Sequence, residues 1–83
     1  MKTGEISKMP ISMQRAYLTL PDRLYQIRKE RNLSQLAVSL ETGICEASIC
    51  TYENGSKYPM FHNLIRLAAF YGVSVGWLIG ETE

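Results

Sequence analysis

The sequence predicts an all-α domain of five short helices, preceded by an N-terminal extension. Four observations carry that expectation. The chain has 83 residues, a length that folds by burying roughly 60–65% of its extended surface and so supports one core without a second domain. Its hydrophobic fraction of 46% and charged fraction of 20% are those of a globular chain, which excludes wholesale disorder. Leu, Ile, Ala, Lys, Arg and Glu dominate over Val and the aromatics, a helical bias. From Leu20 onward, small polar residues and Gly or Asn recur where helices start and stop.

Residues 1–19 are weakly periodic, with Pro10 interrupting them and a short helix expected only over Ser12–Leu18. Thr19 then suits an N-cap, with Pro21 in the first turn and Asp22 near the positive end of the helix dipole. Leu24, Ile27 and Arg31 follow at helical spacing, Arg28 and Lys29 lie toward the negative end, and Asn32 suits a left-handed stop. Ser34 caps a second helix from Gln35 to about Thr42, which Gly43 ends. A third runs from Cys45 through Tyr52 to the Asn54-Gly55 stop. After a loop over Ser56–Pro59, a fourth covers roughly Met60–Tyr71, with Leu64, Leu67 and Ala68 on one stripe and Gly72 closing it. Ser74 caps a last short helix carrying Val75, Leu78 and Ile79, closed by Gly80. The expected organisation is an extension at 1–19 and a helical domain at 20–83.

Several function classes drop out. No apolar run approaches a membrane span, and Met1-Lys2 is followed by Thr3, Gly4 and Glu5 without a signal-peptide stretch, so the chain reads as cytoplasmic and soluble. Cys45 and Cys50, five apart on a helix, face different sides and form no unstrained disulfide. With His62 the only histidine, they fall short of a zinc site; they read as reduced thiols, one of them a small core residue. No carboxylate pair with acid–base partners, no nucleophile–His–acid arrangement and no phosphate-cradling glycine loop is present. The expectation is no enzyme, no metal and no cofactor. Nine Lys+Arg against eight Asp+Glu give no overall electrostatic signature of nucleic-acid binding.

Two helices of about eight residues joined by Gly43-Ile44-Cys45 form a helix-turn-helix candidate at about 34–54. Ser39 is small where the helices must cross, Gly43 supplies the positive φ of the turn, and Ile49 returns an apolar branch to the crossing. Leu33-Ser34-Gln35 at the start and Tyr52-Glu53-Asn54-Gly55 at the end frame the unit. These residues, with Arg23 to Asn32 before them and Pro59, Leu64, Leu67-Ala68 and Gly72-Val73-Ser74-Val75 after, resemble the Cro/lambda-repressor-like, or Xre-type, helix-turn-helix family. The resemblance runs from Arg23 to about Gly80 without insertion or deletion. It implies a five-helix lambda-repressor-like DNA-binding domain, the third helix entering the major groove of double-stranded DNA, and a partly buried structural ion pair between Arg28 and Glu53.

At about 100° per residue, Cys45, Ser48, Ile49 and Tyr52 make the core face of the third helix. Glu46, Ala47, Cys50, Thr51 and Asn54 make the reading face. The family's positioning contacts fall at Ser34, Gln35, Asn54, Lys57 and Asn63, where side chains and helix-start N–H groups meet phosphates. Between Ser34 and Asn54 stand Glu41, Glu46 and Glu53 and no cation, which disfavours phosphate contact by this segment. Three readings of Glu46 stay open: a first-turn charge at the helix dipole, a cytosine reader, or a contact to a protein partner. The leading function is a sequence-specific transcriptional regulator, a repressor of bacterial or phage type, binding a pseudo-palindromic operator as a homodimer with half-sites about one helical turn apart. The alternative is a protein–protein adaptor on the same scaffold, of anti-repressor or antitoxin type.

Trp77 reads as a packing residue of the last helix, with a dimer contact as its rival. His62 reads as solvent-facing or as a phosphate neighbour. Leu36, Ala37 and Leu40 form an apolar stripe beside Val38, Ser39 and Thr42, the positions that the resemblance places in the core. The extension carries Ile6, Met9, Ile11, Met13, Tyr17 and Leu18. It is expected either to cover apolar surface, on helix two or on a dimer partner, or to fray as a tail.

Overall fold

A computed structural model describes residues 9–81 of the chain. Among them are five helices and no strand: α1 Ile11–Glu30, α2 Gln35–Thr42, α3 Glu46–Asn54, α4 Phe61–Tyr71 and α5 Val75–Leu78. The fold is all-α and lambda-repressor-like. α1 packs on α3 and α5, α2 on α3 and α4, and α4 on α5. The core they enclose takes Leu20, Leu24 and Ile27 from α1, Val38 from α2, and Ile49 and Tyr52 from α3. Ile44 enters it from the turn, Leu67, Ala68 and Tyr71 from α4, and Leu78 from α5. Burying side chains of this size is worth about 1.5–3 kcal/mol each, enough to hold short helices that would not persist alone.

The caps follow local chemistry. Ser34 Oγ accepts the Ala37 N–H at 3.0 Å, and Ser74 Oγ accepts that of Trp77 at 2.9 Å. Gly43 and Gly55 close α2 and α3 at φ +76° and +79°, a backbone that L side chains resist. Asn32, at φ +56°, ends the α1 turn as expected. Thr42 explains how a polar residue serves a core position. Its hydroxyl donates to the Val38 carbonyl at 2.7 Å and accepts the Ile44 N–H at 3.2 Å.

Helix one departs from expectation. Thr19 is not its cap and Pro21 is not in its first turn; α1 starts at Ile11 and runs unbroken through Pro21. A proline inside a helix has no N–H for the carbonyl four residues back. Here that carbonyl belongs to Tyr17, and Tyr58 Oη donates to it at 2.8 Å. The two tyrosine rings meet edge to face, with centroids 4.6 Å apart. Pro21 itself is buried and lies beside Gly55, so the ring that breaks the ladder is also a packing group.

Residues 11–18 therefore lengthen α1. Among the described residues nothing covers α2 from the outside, since Leu36 and Leu40 stay 51% and 75% exposed. Of the apolar residues of the extension, Ile6 lies outside the described residues.

Candidate nucleic-acid interface

The third helix presents the two faces that its spacing predicts, with one exception. Ile49 and Tyr52 are buried and Ser48 is half-buried, whereas Glu46, Ala47, Cys50 and Asn54 are exposed and Thr51 is half-buried. The exception is Cys45. It is exposed rather than a core residue, because it occupies the N-cap of α3 with extended backbone and its side chain leaves the helix axis. Its Sγ lies 3.5 Å from Ser48 Oγ. That contact, with the Ser48 and Ala47 N–H groups, holds the thiol below its ordinary pKa. Cys50 is also exposed, and both cysteines are free; neither is the small core residue that the sequence suggests.

Behind α3, Arg28 and Glu53 form a fork. Arg28 Nε donates to Glu53 Oε2 at 2.7 Å and Nη2 to Oε1 at 2.9 Å, while Nη1 donates to the Leu33 carbonyl at 2.8 Å. The two side chains are only 9% and 5% exposed. A planar guanidinium satisfying a carboxylate twice and a carbonyl once leaves little buried polarity unmatched. The bond to Glu53 raises the Arg28 pKa further. The pair ties α1 to α3 and to the turn before α2.

The residues expected at DNA divide into two groups. Ser34, Gln35 and Glu46 converge on an open groove of about 580 Å³, which Arg28, Lys29, Asn32 and Leu33 also line. Ser34 is spent on capping α2, and Gln35 Nε2 donates to Glu53 Oε1 at 3.2 Å, so the fork orients the Gln35 amide. The second group lies at the other end of α3. Asn54 Oδ1 accepts from Ser56 N at 2.9 Å and Ser56 Oγ at 2.6 Å, shaping the loop that exposes Lys57. Asn63 Nδ2 donates to Tyr52 Oη at 3.0 Å. Thr51 Oγ1 donates to the Ser48 carbonyl at 2.9 Å, which leaves its methyl as its outward chemistry.

Lys29 and Asn32 border the first group, a place that the motif residues alone do not assign to them. The signal was available. Lys29 lies in the last turn of α1, just before the Ser34 cap, and lines the same groove as that cap. Elsewhere, Trp77 is half-buried beneath Arg23, whose Cζ stands 4.7 Å from the ring centre and whose Nη1 donates to the Trp77 carbonyl. His62 and Arg66 are exposed on α4. Among the described residues no group of His, Cys, Asp or Glu could hold a metal ion, and no helix is long and apolar enough to cross a membrane.

This arrangement of a capped helix, a left-handed glycine turn and a second helix with an open outer face defines a helix-turn-helix domain. Residues 22–82 match the family described as helix-turn-helix domain. The chain belongs to that Xre-like family. It is 38% identical over 61 residues to an uncharacterized HTH-type transcriptional regulator, YobD, of Bacillus subtilis (strain 168), covering 74% of this chain and 54% of that protein. It is 31% identical over 61 residues to the cryptic phage CTXphi transcriptional repressor RstR of Vibrio cholerae, covering 74% and 55%. The chain thus aligns with about half the length of these curated relatives. No solved structure matches it significantly.

Proposed function

We propose that the domain is a sequence-specific DNA-binding transcriptional regulator, acting in the cytoplasm as a homodimer on a pseudo-palindromic operator. The observation that carries this reading is the placement of α3. Its inner side is locked by Ile49, Tyr52 and the Arg28–Glu53 fork, while its outer side stands clear of the fold with Glu46, Ala47 and Cys50 exposed. A helix of that width fits the major groove. In this reading Glu46 accepts from a cytosine amino group, and the Ala47 and Thr51 methyls pack on thymine methyls. Phosphates are met by the start of α2 at Ser34 and Gln35, by Lys57 and Asn54 after α3, and by Asn63 on α4. The names of YobD and RstR as a transcriptional regulator and a transcriptional repressor support it.

Selection of bound sequences from a random duplex pool tests the proposal. A recurrent inverted repeat is expected, with affinity that falls steeply with salt. A pool that shows no enrichment and no salt-dependent binding would remove DNA as the ligand.

One observation favours a second reading. The helix-turn-helix segment from Ser34 to Asn54, the outer face of α3 included, holds no cation, and acidic groups are repelled by phosphate. A protein–protein adaptor on the same scaffold would instead show a salt-insensitive complex with a protein partner.

A further inference from the structure

Helix α1 buries Leu20, Leu24 and Ile27 on one side. On the opposite side, Ile11, Leu18 and Tyr25 recur every seven residues and are 73%, 63% and 50% exposed. At about 100° per residue the three fall within about 40° of one another, so they form one apolar stripe along the outside of the helix. Isolated exposed apolar residues need no explanation, but a heptad-spaced stripe does; at its C-terminal end the Tyr25 ring also meets Arg28 and Lys29, 5.4 and 5.9 Å from its centre. The upper part of this stripe belongs to residues 11–21, which precede the segment matched to the family.

We propose that this stripe is the docking surface for a second copy of the chain, with the two α1 helices packed antiparallel about a twofold axis at Leu18. The proposal rests on the homodimer reading above and specifies its interface. The charges select the partner and its direction. Arg15 and Asp22 are exposed on the same flank of the stripe. In an antiparallel twofold pair each flank meets the same flank of the other copy. Arg15 of one helix then lies opposite Asp22 of the other, twice over, while Ile11 meets Tyr25 and Leu18 meets itself. A parallel pair would set that flank against Gln14 and Pro21, leaving both charges unmatched. The surface is complementary to itself in one direction only.

In this pair the two α3 helices lie on either side of the twofold axis, each running back along its own α1 with Glu53 at Arg28 and Gly55 beside Pro21. The contact covers about four helical turns of α1, less than the roughly 800 Å² per partner of a standard interface. Association is therefore weak in free solution and strengthened when DNA holds both copies.

Sedimentation equilibrium on the full chain tests this, alongside fluorescence anisotropy on single and paired half-sites taken from the selected DNA. Leu18→Glu, which places two carboxylates on the twofold axis, is expected to abolish dimerisation while leaving the melting temperature unchanged at dilutions where the parent chain is monomeric. Arg15→Asp and Asp22→Arg are each expected to weaken dimerisation by about tenfold, since each creates two like-charge contacts. Combined in one chain they are expected to restore it to near the parent value, which a folding defect would not do. On DNA, Leu18→Glu is expected to lose cooperativity across two half-sites and to bind a single half-site normally. A wild-type chain that stays monomeric both free and on paired half-sites would overturn the interface. So would a dimer indifferent to Leu18→Glu, or a double charge swap without rescue. If the chain binds no DNA but the charge swap behaves as expected, the interface stands and the DNA reading alone fails.

Discussion

The inner side of α3 buries Ile49 and Tyr52 and carries Glu53 into a two-bond fork with Arg28, whereas the outer side holds Glu46, Ala47 and Cys50 in solvent. One nine-residue helix thus has a side where each group is matched by a neighbour and a side where folding asks nothing of the residue. The inner side sets the position and angle of the helix. The outer side is free to change chemistry without cost to the fold, which is how a helix without a single cation can still belong to this family.

The largest expected effect breaks the inner side. Arg28→Ala leaves the Glu53 carboxylate buried without its fork and is expected to cost about 3–5 kcal/mol in urea denaturation. Glu46→Ala on the outer side is expected to cost no more than about 0.5 kcal/mol. Comparable losses from the two would erase the distinction between the sides.

Next in size is a pH effect at Tyr71, which is buried behind the fork. Its burial first, and then the negative charge of Glu53, push the phenol up to about 12 from an ordinary value of about 10. The unfolded chain loses this proton before the folded one does. The contribution of Tyr71 is therefore fully present below about pH 10 and is lost as pH rises toward 12, amounting to about 2–3 kcal/mol. Tyr71→Phe should flatten the alkaline limb of a stability–pH curve. An unchanged limb would show that the inner side is wetter than the fork implies.

On the outer side, Glu46→Gln is expected to relax preference at one base pair by about 1–3 kcal/mol if Glu46 reads cytosine. Uniform tightening on all operators in a binding competition would make it a repelled surface charge instead. The smallest effect is that of Lys57→Ala. It should weaken binding evenly across sequences and reduce the salt slope by about one charge; an unchanged slope removes Lys57 from the interface.

What the sequence disclosed was whatever is decided within a few residues. Ser34 and Ser74 as caps, and Gly43, Gly55 and Gly72 as left-handed stops, are local backbone chemistry and stand where their spacing put them. The alternation of faces on α3 was equally legible, except at Cys45, because helical periodicity does not apply to an N-cap. The Arg28–Glu53 pair came from the resemblance, since two residues 25 apart announce no contact by spacing. The continuity of α1 was hidden for a stronger reason. Pro21 is a helix breaker on any local reading, and the hydroxyl that compensates it lies 41 residues away from Tyr17. The engagement of Gln35 with Glu53 and of Asn63 with Tyr52 likewise depends on neighbours that only the packed fold supplies.

The Tyr58–Tyr17 bond has a consequence for how the molecule opens. It replaces the missing rung of α1 with a donor from the loop next to Lys57, so the first turns of the helix are held partly by a group outside them. Local unfolding proceeds in cooperative units rather than residue by residue. The loop after α3 and the N-terminal half of α1 should form one such unit, exchanging their amide hydrogens together. A contact that steadies the loop at Lys57 would then slow exchange at Ile11–Leu20, far from the contact itself.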